Sequence, residues 1–193
     1  MHVNIPNQFY FINNFNKNNI DKLDPNTGVI YRNYIKKIRI NEIIKAKNYC
    51  KSKKIKFFLA NYFKLAVKLG LDGVYLPSFN KDFNHLNYKI KSSFVIFGSA
   101  HNINEIRLKE KQNVSFIFIS SIFKKNKNYL GIYRFKKLQE LTDKKVIALG
   151  GISEKNKKKI ELLSCYGFSG ISYFEKKKRP QKGPFFKKLY SAN

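Results

Sequence analysis

Two hydrophobic patterns alternate along this chain. Short, largely apolar runs occur at 9–12, 29–32, 55–60, 73–76, 94–97, 116–119, 146–149 and 170–174. A run without polar alternation is what a parallel strand covered on both faces requires. Between the runs, apolar residues recur at helical spacing: Ile43, Ile44 and Tyr49; Leu65, Ala66 and Leu69; Phe83, Leu86 and Ile90; Ile103 and Ile106; Phe135, Leu138 and Leu141; Ile160, Leu163 and Tyr166. Each set predicts a helix with one buried stripe. Asn41, Asn102 and Ser153 are placed to cap helix N-termini, the last for a helix starting near Glu154, and Gly167 is placed to close that helix. Only residues 13–27, rich in Asn and carrying Pro25, make a poor helix.

Eight strand candidates in strict alternation with helices predict an α/β chain with a parallel sheet. A closed (β/α)8 TIM barrel with a stunted first helix fits that count better than an open doubly wound sheet. The 193 residues suffice for one domain, although a barrel of this kind usually takes roughly 200 or more. The barrel is expected over residues 1–175. Residues 176–193 then form a basic tail in which Phe185, Phe186 and Leu189 supply a last docking helix.

The stretch 145–175 carries the first chemical signal. Its strand ends at Gly150-Gly151, and two glycines at a strand's C-terminal end let the backbone turn sharply with its N–H groups outward and a ligand close by. In barrels the loops after the last two strands are the usual phosphate site. A Gly-Gly turn is a weak motif, so a bare packing unit remains the alternative.

Composition adds less than its extremity suggests. The formal charge of +27 would attract a polyanion. Yet arginine occurs only at 32, 39, 107, 134 and 179, and the lysines are spread over every element, which describes solvated helix faces with weak non-specific polyanion binding and no specific nucleic-acid partner. Cys50 and Cys165 read as buried thiols of a cytoplasmic protein. No secretion signal or membrane span is expected, and His2, His85 and the cysteines lack zinc-ligand spacing.

The runs LGLDGVYLPSFN at 69–80, GSAHNINEI at 98–106, IFISSIF at 117–123, IALGGISEKN at 147–156 and GFSGISYF at 167–174 resemble the thiamine phosphate synthase and TenI family of small barrels, in the family's order and at about its spacing. The resemblance implies a site at the C-terminal mouth of the barrel. In the synthases a pyrimidine diphosphate loses pyrophosphate with the help of magnesium, and a thiazole phosphate captures the resulting cation. TenI-like relatives bind a thiazole phosphate and, where active, isomerise its ring without a metal.

Carried onto this sequence, the resemblance implies thiazole phosphate held by backbone at Gly150, Gly151, Phe174 and Glu175, and a shared Ser-x-His segment at Ser99 and His101 as catalytic residues. Arg32 is what remains of a basic motif after the second strand, and Asn61 of an Asn-Asp pair after the third. The loop after the sixth strand offers Lys125 and Lys127 to phosphate. The resemblance leaves magnesium open as a cofactor, but the family's two magnesium carboxylates are replaced by Tyr62 and Asn80, and since magnesium needs charged oxygen ligands no metal ligand is assigned. His101 is equally readable as a helix-start residue making a local hydrogen bond, and Arg32 as half of a surface ion pair. The implied activity is condensation of the pyrimidine diphosphate with the thiazole phosphate. The alternatives are a metal-free thiazole isomerase and a non-catalytic barrel that binds a phosphorylated heterocycle. Self-association into a homodimer is left open.

Overall fold

A computed structural model describes residues 4–34 and 38–175, so the expected docking helix around Phe185, Phe186 and Leu189 lies outside the described residues. Eight parallel strands close into a barrel in chain order: β1 (Gln8–Ile12), β2 (Thr27–Tyr31), β3 (Phe57–Ala60), β4 (Gly73–Leu76), β5 (Val95–Ala100), β6 (Phe116–Ser120), β7 (Lys145–Leu149) and β8 (Gly167–Ser169). Pairing of Gln8 with Phe168 and Phe9 with Ser169 shuts the ring. The helices are α1 (Lys17–Ile20), α2 (Ile40–Ser52), α3 (Phe63–Lys68), α4 (Ile103–Lys111), α5 (Gly131–Glu140), α6 (Lys157–Glu161) and α7 (Ile171–Glu175). The first helix is a single turn, as its asparagines foretold. No helix among the described residues is long and apolar enough to cross a membrane.

Because side chains alternate along a strand, each apolar run feeds two cores. Tyr10, Ile12, Val29, Phe57, Leu59, Ile117 and Ala148 face the helices, while Phe9, Phe11, Ile30, Phe58, Tyr75, Phe97, Phe116, Phe118 and Ile147 fill the barrel. The filling is aromatic: Phe58 meets Phe97 at 4.9 Å between ring centroids, and Phe9 meets Phe97 at 5.1 Å and Phe118 at 5.2 Å, all edge to face. Rings this large need space from a neighbour. Gly28 provides it, since a Cβ there would lie 2.9 Å from the Phe9 ring and 3.0 Å from Phe58.

Several expectations are corrected, each for a local reason. Asn41 sits within the first turn of α2, where Arg39 holds the N-cap without a side-chain bond, and Ile43, Ala46 and Cys50 form the buried stripe with Ile44 and Tyr49 beside it. Asn102 does cap α4, its Oδ1 accepting the Glu105 N–H at 3.0 Å. No α-helix forms over 83–90, only a 3₁₀ turn at Asn84–Asn87. There Asn80 Oδ1 accepts the Asp82 N–H and Asp82 Oδ1 the Asn84 N–H, local bonds that compete with a helix. Phe83, Leu86 and Ile90 are consequently exposed and His85 is buried in their place.

Around the glycine turn, α6 begins at Lys157 and not near Glu154. The Asn156 side chain spans the turn, accepting the Ser153 N–H and donating to Gly151 O, so Ser153 is not the cap. Ser164, with φ of 50°, makes the left-handed step after α6, while Gly167 opens β8, where a Cβ would collide with the Asn7 carbonyl. Tyr166 lies beyond the helix against Phe116, and Leu141 at the end of α5 is exposed. The run 170–174 is the helix α7, and β8 stops at Ser169. A five-residue apolar run does not by itself separate strand from helix. Cys50 is fully buried, Cys165 partly, and burial pushes both thiols up to about 12.

Candidate active site at the barrel mouth

The C-terminal ends of the strands define the mouth. At β7 the chain turns through Gly150 and Gly151 with φ of 105° and 75°, a region that favours glycine. The loop 121–130 folds onto this turn. Ser121 donates its N–H to Asn128 O and its hydroxyl to Lys124 O, Leu130 donates back to Ser121 O, and the Phe123 and Lys124 N–H groups both reach Gly150 O. Contact is so close that a Cβ on Gly151 would sit 2.5 Å from Lys124 N, and one on Gly150 2.8 Å from Ser121 Cα. Glycine is thus required twice, by conformation and by space. The N–H groups of Gly150 and Gly151 donate to no protein group among the described residues. Lys125 and Lys127 stand exposed at the tip of the covering loop.

Phe174 and Glu175 lie in the last turn of α7 and not at the end of β8. With β8 ending at Ser169, the residues leaving the strand are Gly170, Ile171 and Ser172, and Phe174 already donates its N–H to Gly170 O at 3.3 Å. Its ring is buried against Tyr10 and Tyr173. Glu175 is exposed and lies near Tyr10, whose phenol is raised by burial first and by that carboxylate second.

On the facing side Arg32 leaves β2 with its guanidinium 4.3 Å from the Phe11 ring centroid. It lines a cavity of about 470 Å³ shared with Asn13, Tyr34, Arg39, Glu42 and Tyr62. Below it, Tyr75 rises from the barrel interior to meet both the Arg32 guanidinium and the buried Ser99 hydroxyl, so β2, β4 and β5 converge on one polar spot. Burial raises the Tyr75 phenol, and the neighbouring Ser99 hydroxyl and Arg32 guanidinium oppose that rise. Tyr34 packs edge-on to Phe79 at 5.2 Å, and its phenol is held far above its ordinary value by burial and then by Tyr75.

His101 is the first residue beyond β5. Glu105 Oε2 accepts its backbone N–H at 2.7 Å and stands 2.8 Å from Nδ1. A carboxylate can only accept, so Nδ1 carries the proton in the neutral ring and Nε2 keeps its lone pair. The local hydrogen bond and the poised imidazole are therefore one arrangement.

Between β3 and β4 the residues form a relay. Asn61, with φ of 66°, accepts from Asn80 Nδ2 at 2.8 Å, and Asn80 Oδ1 accepts from Gln112 Nε2 at 3.2 Å. Gln112 Oε1 accepts from Lys109 Nζ at 2.8 Å, and that ammonium also donates to Pro77 O and Asn80 O. Lys109 is 0% exposed. Magnesium does not fit this corner: Asn61 and Asn80 are neutral and bonded to each other, Tyr62 is a phenol, and no group of three His, Cys, Asp or Glu among the described residues could hold an ion. Tyr75, Lys109 and Gln112 are site residues that sequence reasoning missed. A lysine on a helix reads as solvated, and only Gly98, which leaves room for the Lys109 stem, hinted otherwise.

Lys109 yields a pH prediction. Burial lowers its ammonium from 10.5 to about 8, with Glu105 acting in the other direction. A folded-state value below the unfolded one means the unfolded chain binds more protons between pH 8 and 10.5, so this residue's contribution to stability grows as the pH rises through that window and is lost as it falls to 8. Urea unfolding at several pH values should show wild type gaining on Lys109→Met across the window, by at most about 3 kcal/mol.

Comparison with known proteins agrees with this fold. The chain is similar to thiamine-phosphate synthase of Methanococcus vannielii, 28% identical over 120 residues that make up 60% of this chain and 56% of that one. It is also similar to thiamine-phosphate synthase of Prochlorococcus marinus subsp. pastoris, 29% identical over 140 residues, 70% of this chain and 39% of that one. The matches thus span about half or less of these relatives' length. Among solved structures, thiamine phosphate pyrophosphorylase from Pyrococcus furiosus superposes with a TM-score of 0.72 at 18% identity, covering 88% of this chain and 87% of that one, a likeness of fold. The model of the thiamine monophosphate synthase family matches residues 27–174, and the chain belongs to that family.

Proposed function

We propose that this barrel couples a pyrimidine diphosphate to a thiazole phosphate in the cytoplasm, as a thiamine-phosphate synthase. The Gly150-Gly151 turn carries the reading: two left-handed glycines, pinned by the loop above them, present amides to an anion at the place where barrels hold phosphate. The thiazole phosphate sits on those amides and on the first amides after β8, with Lys125 and Lys127 adding positive potential. Its ring then lies over the Tyr75 and Ser99 floor. Arg32 takes the diphosphate through its fork of donors.

In the reaction the bond between the pyrimidine methylene carbon and the diphosphate oxygen breaks, and the diphosphate leaves with the bonding pair. The thiazole nitrogen gives its lone pair to that carbon, forming the new C–N bond and a cationic ring. Ser99 orients the heterocycle, and His101 offers Nε2 to an N–H of the pyrimidine while Glu105 fixes its tautomer. Glu105→Gln should accordingly lower kcat by about ten- to a hundredfold with little change in KM. Steady-state rates at several pH values check this.

Purified protein given both substrates tests the main reading by formation of thiamine phosphate. The neutral Asn61–Asn80 pair favours a second reading, a TenI-like barrel that binds thiazole phosphate without diphosphate chemistry. Calorimetric binding of thiazole phosphate without coupled product would select it.

A further inference from the structure

The β3–β4 corner is lined by hydrogen-bond donors. Asn61, Tyr62, Lys64 and Asn80 line a cavity of about 310 Å³, and Tyr62 joins it to the larger one that holds Arg32 and Arg39. The acids in these walls are engaged elsewhere: Glu42 Oε1 accepts the Phe15 N–H at 2.7 Å, and Asp82 Oδ1 the Asn84 N–H at 2.8 Å. Behind the wall, the Lys109 ammonium meets three neutral acceptors, Pro77 O, Asn80 O and Gln112 Oε1, each at 2.8 Å, and forms no salt bridge among the described residues. Its stem crosses β5 at Gly98, where a Cβ would stand 2.9 Å from Lys109 Cγ and Cδ.

The consequences run outward from that charge. Two carbonyls of the loop after β4 are drawn onto the ammonium, which fixes the loop's backbone. Gln112 extends the order to Asn80 Oδ1 and Asp82 O, and Asn80 then donates to Asn61 Oδ1, which fixes the Asn61 amide with its own N–H donors unused by that bond. A buried cation that forms no salt bridge, the Glu105 carboxylate near it being held by His101, also repels a second cation.

We propose that Lys109 is a built-in cation that orders the β4 loop and sets this corner of the mouth for direct, metal-free binding of a diphosphate-class anion, with Gln112 and Asn80 relaying its position to Asn61. The choice of a diphosphate rests on the reaction proposed above; the metal-free donor corner rests on the geometry alone. Lys109 and Gln112 are positioning residues, since neither side chain reaches the ligand.

Inorganic pyrophosphate is the probe, titrated calorimetrically into the full chain in EDTA and in excess magnesium. Affinities in the two buffers should agree within about threefold, while Lys109→Met and Gln112→Leu should each weaken binding about tenfold or more in both buffers. Thiazole phosphate affinity at the β7 turn should be unchanged, and amide exchange over residues 78–82 should accelerate in both variants. Binding that requires magnesium, no binding in either buffer, or variants that bind as wild type would each overturn the proposal. Should Lys109→Met fail to fold, Gln112→Leu, which keeps the ammonium, and the EDTA comparison on unaltered protein still decide it. Formation of thiamine phosphate is scored separately, so loss of the synthase reading and loss of this one give different results.

Discussion

Replacing Gly151 by valine should reduce thiazole phosphate affinity more than a hundredfold, about 2.7 kcal/mol or more. Two independent penalties act at this residue. Its φ of 75° strains a β-branched side chain, and the Cβ itself would lie 2.5 Å from the Lys124 amide nitrogen. Relief requires the loop 121–130 to lift, which breaks the bonds from Phe123 and Lys124 to Gly150 O and takes Lys125 and Lys127 away with it. Calorimetry with thiazole phosphate reads the loss, and far-UV circular dichroism establishes that the barrel persists. Lys125→Ala, by contrast, should cost only a few-fold, since an exposed ammonium contributes little through solvent. A Gly151→Val protein that binds as wild type would remove the glycine turn from the site.

The largest effect on stability is expected at Phe118. This ring is 0% exposed in the barrel interior and touches four others: Phe9 at 5.2 Å, Tyr75 at 5.4 Å, Phe97 at 5.6 Å and Phe11 at 5.8 Å between centroids. Phe118→Ala leaves a void that the surrounding closed sheet cannot collapse into, and should cost about 3–5 kcal/mol. For a chain of this size that corresponds to a fall in Tm of roughly 10 °C, measurable by calorimetric or circular dichroism melts. Leu162→Ala on the surface, where the side chain is 83% exposed, should stay within about 0.5 kcal/mol of wild type. The interior substitution has a functional consequence as well. Tyr75 rests against Phe118 and carries the contacts to Ser99 and Arg32, so loosening the aromatic filling loosens the floor of the mouth.

The barrel was legible because its signal is repetitive. Each of eight apolar runs is individually ambiguous, but their alternation with helical stripes admits few topologies. Errors fell where a single run or cap had to be interpreted alone. Residues 170–174 read as strand and fold as α7, because five apolar residues satisfy either period when both faces are covered. Asn41 read as a cap by type, yet Arg39 holds that position without a side-chain bond. The segment 83–90 carried a helical stripe that lost to the local bonds of Asn80 and Asp82.

The site divides in the same way. The turn at Gly150 and Gly151 was legible because it is a backbone property of a glycine pair after a strand, although the pair alone does not separate a phosphate site from a packing turn. Arg32, Asn61, Ser99 and His101 came from the family resemblance, and the structure puts them at or near the C-terminal ends of β2, β3 and β5, His101 with a Glu105 partner one helical turn away. Phe174 and Glu175, named by the resemblance, lie in α7 and not on the strand expected over 170–174.

By itself, then, the sequence determined the α/β alternation, the closed eightfold topology and the glycine turn at Gly150-Gly151. These depend on residue type and periodicity, which one chain displays directly. Only the tertiary structure decided that Tyr75 joins Arg32 to Ser99, that the lysine-rich loop pins the glycine turn, and that Lys109 is buried behind Asn80 and Asn61. Those contacts link residues far apart in sequence, Lys109 lying 32 positions from Pro77. Their energies arise from burial, and burial is a property of the closed barrel that no local stretch of the chain contains.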